Sequence, residues 1–127
     1  MIGADTNTII RFLVRDNEEQ AQKVKQILEQ GETLYLNQVV LSEIYYVLTT
    51  AYKFSDPEFI KAIDKLLEIE GFEFFDDQVV KNIIRDFIKS NADFEDCMIH
   101  QINASQNLQT LTFDKKASKL KGMKLLE

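Results

Sequence analysis

Short apolar runs alternate along this chain with longer stretches of helical periodicity, and that alternation restricts the fold more than any other property of the sequence. The runs are Met1 to Ala4, Thr33 to Leu36, Phe72 to Phe75, Leu108 to Phe113 and Met123 to Leu126. Between them apolar residues recur at three and four positions, as on a helix packed along one face. Local punctuation supports the division. Asp16-Asn17-Glu18-Glu19, Ser55-Asp56-Pro57-Glu58 and Asp76-Asp77 are helix starts, with the only proline in a first turn, and Gly31, Gly71 and Asn107 are stops or turns. The predicted order is βαα-β-αα-β-αα-β-α-β. Strands that are short, apolar on both faces and separated by helices belong to the α/β class: a three-layer fold whose central, mostly parallel sheet of about five strands is flanked by helices.

A chain of 127 residues with no repeat, low-complexity tract or long linker reads as one domain over 1–127. No apolar run approaches the ~20 residues of a membrane span, and Met-Ile-Gly-Ala-Asp lacks the basic and apolar regions of a signal peptide. The single cysteine, Cys97, permits no internal disulfide and fits a reducing cytoplasm. Its place within a helical pattern points to buried packing rather than nucleophilic chemistry. The net charge of −6 argues against a nucleic-acid partner, with two qualifications. Carboxylates that bind a cation do not present their charge to a substrate. Five of the 15 basic residues, Lys115, Lys116, Lys119, Lys121 and Lys124, also fall in the last thirteen positions. A lysine run is ordinarily a solvated face, which is the default reading; the alternative is a local offset to the acids where a phosphate would approach.

The acids that stand out are Asp5, Glu43, Asp96 and Asp114. Asp5 and Asp114 each follow an apolar strand, at the carboxyl ends where open α/β sheets place ligands; both also suit the N-cap of the helix that follows. Glu43 has Val39, Val40, Tyr46 and Val47 as helical neighbours and projects from an otherwise apolar stripe, which a buried ionised glutamate tolerates only when paired or metal-bound; the alternative is a helix-end glutamate whose carboxylate reaches solvent or a lysine. In Ala92-Asp93-Phe94-Glu95-Asp96-Cys97-Met98-Ile99-His100, Asp93 fits an N-cap and Asp96 the third position of a capping box. Asp93, Asp96, His100, Asn103 and Asn107 form one polar stripe opposite Phe94, Cys97, Met98 and Ile102. His100 reads as a surface residue in preference to a peripheral ligand. Were the four acids to converge, each pair would repel by roughly 4 kcal/mol at 4 Å and an effective dielectric near 20. Such a group takes up protons or binds a cation. An all-oxygen set with no Cys-His spacing selects Mg²⁺ or Mn²⁺ over zinc.

These residues, in this order, resemble the PIN-domain family and, within it, the VapC-type ribonuclease toxins of toxin–antitoxin pairs, over nearly the whole chain. Asp5-Thr6-Asn7 is similar to the opening motif, Ser42-Glu43-Ile44 to the acidic helix position, Asp93-Phe94-Glu95-Asp96 to the stretch bearing the third acid, and Thr112-Phe113-Asp114 to the closing motif. The family's usual small residues after the third acid are replaced by Cys97 and His100. The resemblance implies a parallel sheet of order 3-2-1-4-5 and Mg²⁺- or Mn²⁺-dependent cleavage of RNA. It implies Asp5, Glu43, Asp96 and Asp114 as catalytic metal ligands, with Asn7, Asp93 and Thr112 auxiliary. It also implies a cytoplasmic homodimer and a small VapB-type antitoxin that blocks the site. Two other classes remain beside it: a non-catalytic binding module that keeps the fold, and an α/β phosphatase or phospho-receiver using Asp5. The second is disfavoured because Asn7 stands where such a phosphatase needs a second aspartate.

Overall fold

The computed structural model describes residues 1–127. The elements are β1 (Ile2–Gly3), α1 (Thr6–Val14), α2 (Glu18–Glu29), β2 (Leu34–Leu36), α3 (Gln38–Thr50), α4 (Asp56–Glu68), β3 (Phe72–Phe74), α5 (Asp77–Lys89), α6 (Phe94–Ser105), β4 (Thr110–Thr112), a 3-10 turn (Ala117–Lys119) and β5 (Met123–Leu125). This is the predicted order. No helix is long and apolar enough to cross a membrane. The chain forms two compact units, Met1–Phe75 and Asp76–Glu127.

Helix starts are set by side chains that satisfy the first free amides. Asp5, Asn17, Asn37, Ser55 and Asp76 each accept a hydrogen bond from the backbone N–H three residues on. Ser55 and Glu58 complete a reciprocal capping box around Pro57. Asp93 occupies the N-cap of α6 but makes no cap hydrogen bond.

In the first unit the three strands form a parallel sheet of order β1-β2-β3, with Ile2 opposite Leu34 and Tyr35 opposite Glu73. Its core is Ile9 and Ile10 of α1, Leu36 of β2, Leu41, Ile44 and Leu48 of α3, and Phe59, Ile63 and Leu66 of α4. Phe12 packs edge-on against Phe72, ring centroids 4.9 Å apart, with the Lys65 ammonium over its ring.

The second unit pairs α5 with α6 through Val80, Ile83, Phe94 and Cys97, and Phe87 meets Phe94 edge-on at 5.3 Å. The Gln101 amide donates to Asp86 at 2.6 Å across the two helices. β4 and β5 form a separate parallel pair, with Thr110 opposite Met123 and Leu111 opposite Lys124. Asn103 donates to Thr110 Oγ1 at 2.8 Å and so ties α6 to β4.

Two expectations are corrected. The strands make two small sheets, of order 3-2-1 and 4-5, rather than one five-stranded sheet. β1 is also exposed on both residues rather than buried. β1 is only two residues long: its Ile2 N–H and the Ala4 N–H just beyond it donate to the Thr33 and Tyr35 carbonyls of the β2 segment, so Gly3 alone is left to offer a second edge.

Candidate functional site

In the first unit Asp5 leaves β1 and caps α1. Its Oδ1 accepts from Thr8 N–H at 2.9 Å and Thr8 Oγ1 at 2.8 Å. The backbone bond first, then the hydroxyl, holds this carboxyl below the usual aspartate value. Oδ2 makes no hydrogen bond. The next residue, Thr6, donates its hydroxyl to Glu43 Oε1 at 3.0 Å, and Oε2 is unengaged. One turn of α1 therefore carries Asp5 and orients Glu43 of α3.

Glu43 is exposed, which corrects the packed-stripe expectation: Val39 and Tyr46, its neighbours on the same face, are 65% and 64% exposed. The core of α3 is carried instead by Val40, Leu41, Ile44 and Leu48. Asn7 is exposed beside Asp5 and lines a cavity of about 340 Å³ with Arg11, Gln20 and Lys23 above Val24 and Ile27. The Arg11 guanidinium is already committed to Gln20 at 2.7 Å and to Asp16 and Tyr52, each at 3.2 Å.

In the second unit Asp96 is half-buried in the first turn of α6 and makes no hydrogen bond. Burial first, then the charges of Asp114, Asp93 and Glu95, pushes its carboxyl up. Asp114 lies just past β4, where its Oδ1 accepts from Lys116 N–H at 2.8 Å and Ala117 N–H at 3.0 Å. Its own N–H donates to Thr112 Oγ1 at 3.0 Å, so Thr112 fixes the turn that presents the acid. Asp93 and Asp114 line a cavity of about 340 Å³ with Asn91, Lys115 and Lys116. The capping-box reading of Asp93 and Asp96 fails, because neither carboxylate bonds a helix amide. Glu95 is exposed.

His100 is the other correction. It is buried, 4% exposed, and its Nδ1 has no hydrogen-bond partner. The polar stripe of α6 is not solvated along its length, since Asn103 reaches Thr110 and His100 packs against the Gly122 backbone. A Cβ on Gly122 would lie 2.8 Å from His100 Cε1, and φ there is +99°, so only glycine fits beside the imidazole. Cys97 is fully buried, and burial is the main cause of a thiol pKa raised to about 11. It is a packing residue.

Each unit thus gathers two of the four acids, Asp5 with Glu43 and Asp96 with Asp114. Within neither unit do three or more carboxylate, imidazole or thiolate side chains form a metal-holding group. Thr6 and Thr8 were not legible as site residues. Thr8 had a local signal, a hydroxyl three residues after a capping aspartate; Thr6 had none, because its partner is 37 positions away.

Residues 3–123 match the PIN domain model. The chain is also similar to a VapC ribonuclease of Aquifex aeolicus (strain VF5), 26% identical over 98 residues that cover 74% of this chain and 72% of that relative. With a model that spans both units and begins within β1, the chain belongs to the PIN domain family.

Proposed function

We propose that this chain is a Mg²⁺- or Mn²⁺-dependent endoribonuclease that hydrolyses RNA phosphodiester bonds, the toxin of a VapBC-type toxin–antitoxin pair. The reading takes 1–127 as one functional domain, with Asp5, Glu43, Asp96 and Asp114 holding the cation and Asn7, Asp93 and Thr112 in auxiliary roles. It includes a cytoplasmic homodimer and a small VapB-type antitoxin as partners. The observation that carries it is a shared pattern. Asp5, Glu43 and Asp114 each have one carboxylate oxygen fixed by a nearby hydroxyl or amide and the other unengaged. Oxygens oriented in this way are what a hard cation requires, and the donor set contains no thiolate or imidazole. Asp96 supports the same reading: a half-buried carboxylate among other acids is relieved by a cation as well as by a proton.

A bound divalent ion would supply Lewis-acid polarisation of the phosphodiester and a lowered pKa for an attacking water. The chain's own residues supply orientation. Thr8 holds Asp5, Thr6 holds Glu43, and the Thr112–Asp114–Ala117 turn holds Asp114. Asn7 is free to donate to a phosphate oxygen through its amide.

The test is cleavage of a panel of structured RNAs by purified protein with Mg²⁺ or Mn²⁺, with and without chelator. Cleavage is expected only with metal and is expected to vanish in Asp5→Asn and Asp96→Asn. Thr6→Val should lower kcat/KM about tenfold while Thr6→Ser retains it, because the serine hydroxyl still reaches Glu43. Chelator-insensitive cleavage, or full activity in both Asp→Asn variants, would sink the assignment.

A further inference from the structure

Beyond the last acid the chain carries a surface that the cation chemistry does not use. Phe113, one residue before Asp114, is 78% exposed, and Leu111 is 57% exposed. Alternation along β4 buries Thr110 and turns Leu111 outward, and Phe113 continues that period just past the strand. Lys124 is the register partner of Leu111, and in a parallel ladder such partners share a face. Lys115 and Lys116 follow Asp114 and line its cavity. From Thr110 to the end of the chain there are five lysines against Asp114 and Glu127. All five are exposed, and none makes an ion pair. In a chain of net charge −6 this segment is the local exception.

We propose that the Phe113–Lys124 segment binds an unpaired stretch of RNA, with one base stacked on Phe113 and the adjoining phosphates beside Lys115, Lys116 and Lys124. The inference rests on the nuclease reading and assigns the residues that would grip its substrate. An open aromatic face can stack only on a base whose own face is free, which paired bases in an A-form helix are not. The lysines supply sequence-independent attraction for the backbone. They are also placed to draw a phosphate towards Asp114 and Asp93, whose charge would otherwise repel it. A purely electrostatic surface would not need Phe113; a purely apolar protein interface would not need unpaired lysines.

The experiment reads binding without cleavage. Fluorescence anisotropy of the full chain in chelator is measured with a labelled mixed-sequence 12-nucleotide RNA, single-stranded or annealed to its complement, across a salt series. Wild type should favour the single strand. Lys115→Ala/Lys116→Ala should weaken binding and reduce the log–log salt slope by about 1.4, the value for two phosphate contacts on a single strand. Phe113→Ala should weaken binding about tenfold with the slope unchanged. Circular dichroism melts verify that each variant folds, and Phe113→Tyr, which keeps the stacking face, should restore affinity. Wild-type affinity and slope in both variants would overturn the proposal, as would equal effects on single strand and duplex. Polyglutamate that binds as tightly as RNA and is insensitive to Phe113→Ala would mark the patch as a docking site for an acidic protein, and would also overturn it. The two readings fail separately. Cleavage with no effect of these variants removes only this inference; Phe113-dependent binding with no metal-dependent cleavage removes only the nuclease.

Discussion

Cys97 shows how burial decides the chemistry of a residue. Its sulfur lies among the packed side chains of α6 and α5, and the cost of placing a thiolate there raises its pKa to about 11. A Ser90 hydrogen bond offsets part of that burial cost, and the nearby charges of Asp86, Asp96 and Asp93 add smaller contributions in the same direction as burial. At pH 8 about one thiol in a thousand is then ionised, and the nucleophile in disulfide exchange is the thiolate. Native protein should therefore react with Ellman's reagent at least ~100-fold more slowly than protein in guanidinium, where the thiol returns to its ordinary value. Equal rates in the two conditions would show the site to be open. That Cys97 would be buried could be read from its helical position alone. The burial of His100 could not, because it is decided by the Gly122 backbone, 22 positions on in sequence. The packed-face reading of Glu43 failed for a related reason, and its solvent-reaching alternative holds: periodicity identified a helix with apolar neighbours, but Val39 and Tyr46 face solvent and the core uses the adjacent stripe.

At the scale of elements, the helices were legible because their boundaries are set locally, by caps and glycines a few residues away. The parallel pairings β3-β2, β2-β1 and β4-β5 follow the expected order, and only the neighbour relation of β1 with β4 is missing; nothing in the apolar pattern marks β1 as only two residues long. The α4 capping box is the clearest local device and carries a pH signature. Glu58 accepts from Ser55 N–H, and the backbone bond first, then the Ser55 side chain, lowers its pKa from the ordinary 4.5. A carboxylate with a lower pKa folded than unfolded stabilises the fold fully above 4.5 and loses that contribution as the pH falls through the folded value. Glu58→Gln should accordingly melt below wild type at pH 7, and the two curves should converge as the pH falls below 4.5. A gap that persists unchanged at pH 2.5 would assign the effect to packing. Ser55→Ala, which removes the other half of the box, should cost about 1 kcal/mol at neutral pH.

For the molecule as a whole, the proposed function asks acids from both compact units to serve one cation, and linkage makes that demand measurable. Asp5 belongs to the first unit and Asp96 to the second. A ligand that binds only the folded state at ten times its Kd stabilises by about 1.4 kcal/mol, roughly 4–6 °C for a chain of this size. Wild-type protein should show such a rise on adding Mg²⁺. If Asp5 and Asp96 hold the same ion, Asp5→Asn and Asp96→Asn should each abolish most of the rise, and the double variant should lose no more than either single one. If instead each unit bound an ion independently, each single variant would keep about half of the rise and only the double would lose it. In chelator a second effect appears in Asp96→Asn. The carboxylate is held above its usual pKa by burial and by Asp114, so ionisation opposes folding in the metal-free protein. Its removal should raise the metal-free Tm at pH 7, with the gain fading as the pH falls and the wild-type acid takes up its proton. A side chain whose loss stabilises the metal-free protein and abolishes its response to Mg²⁺ is retained for a ligand, not for the fold; a lowered metal-free Tm would return Asp96 to a structural role.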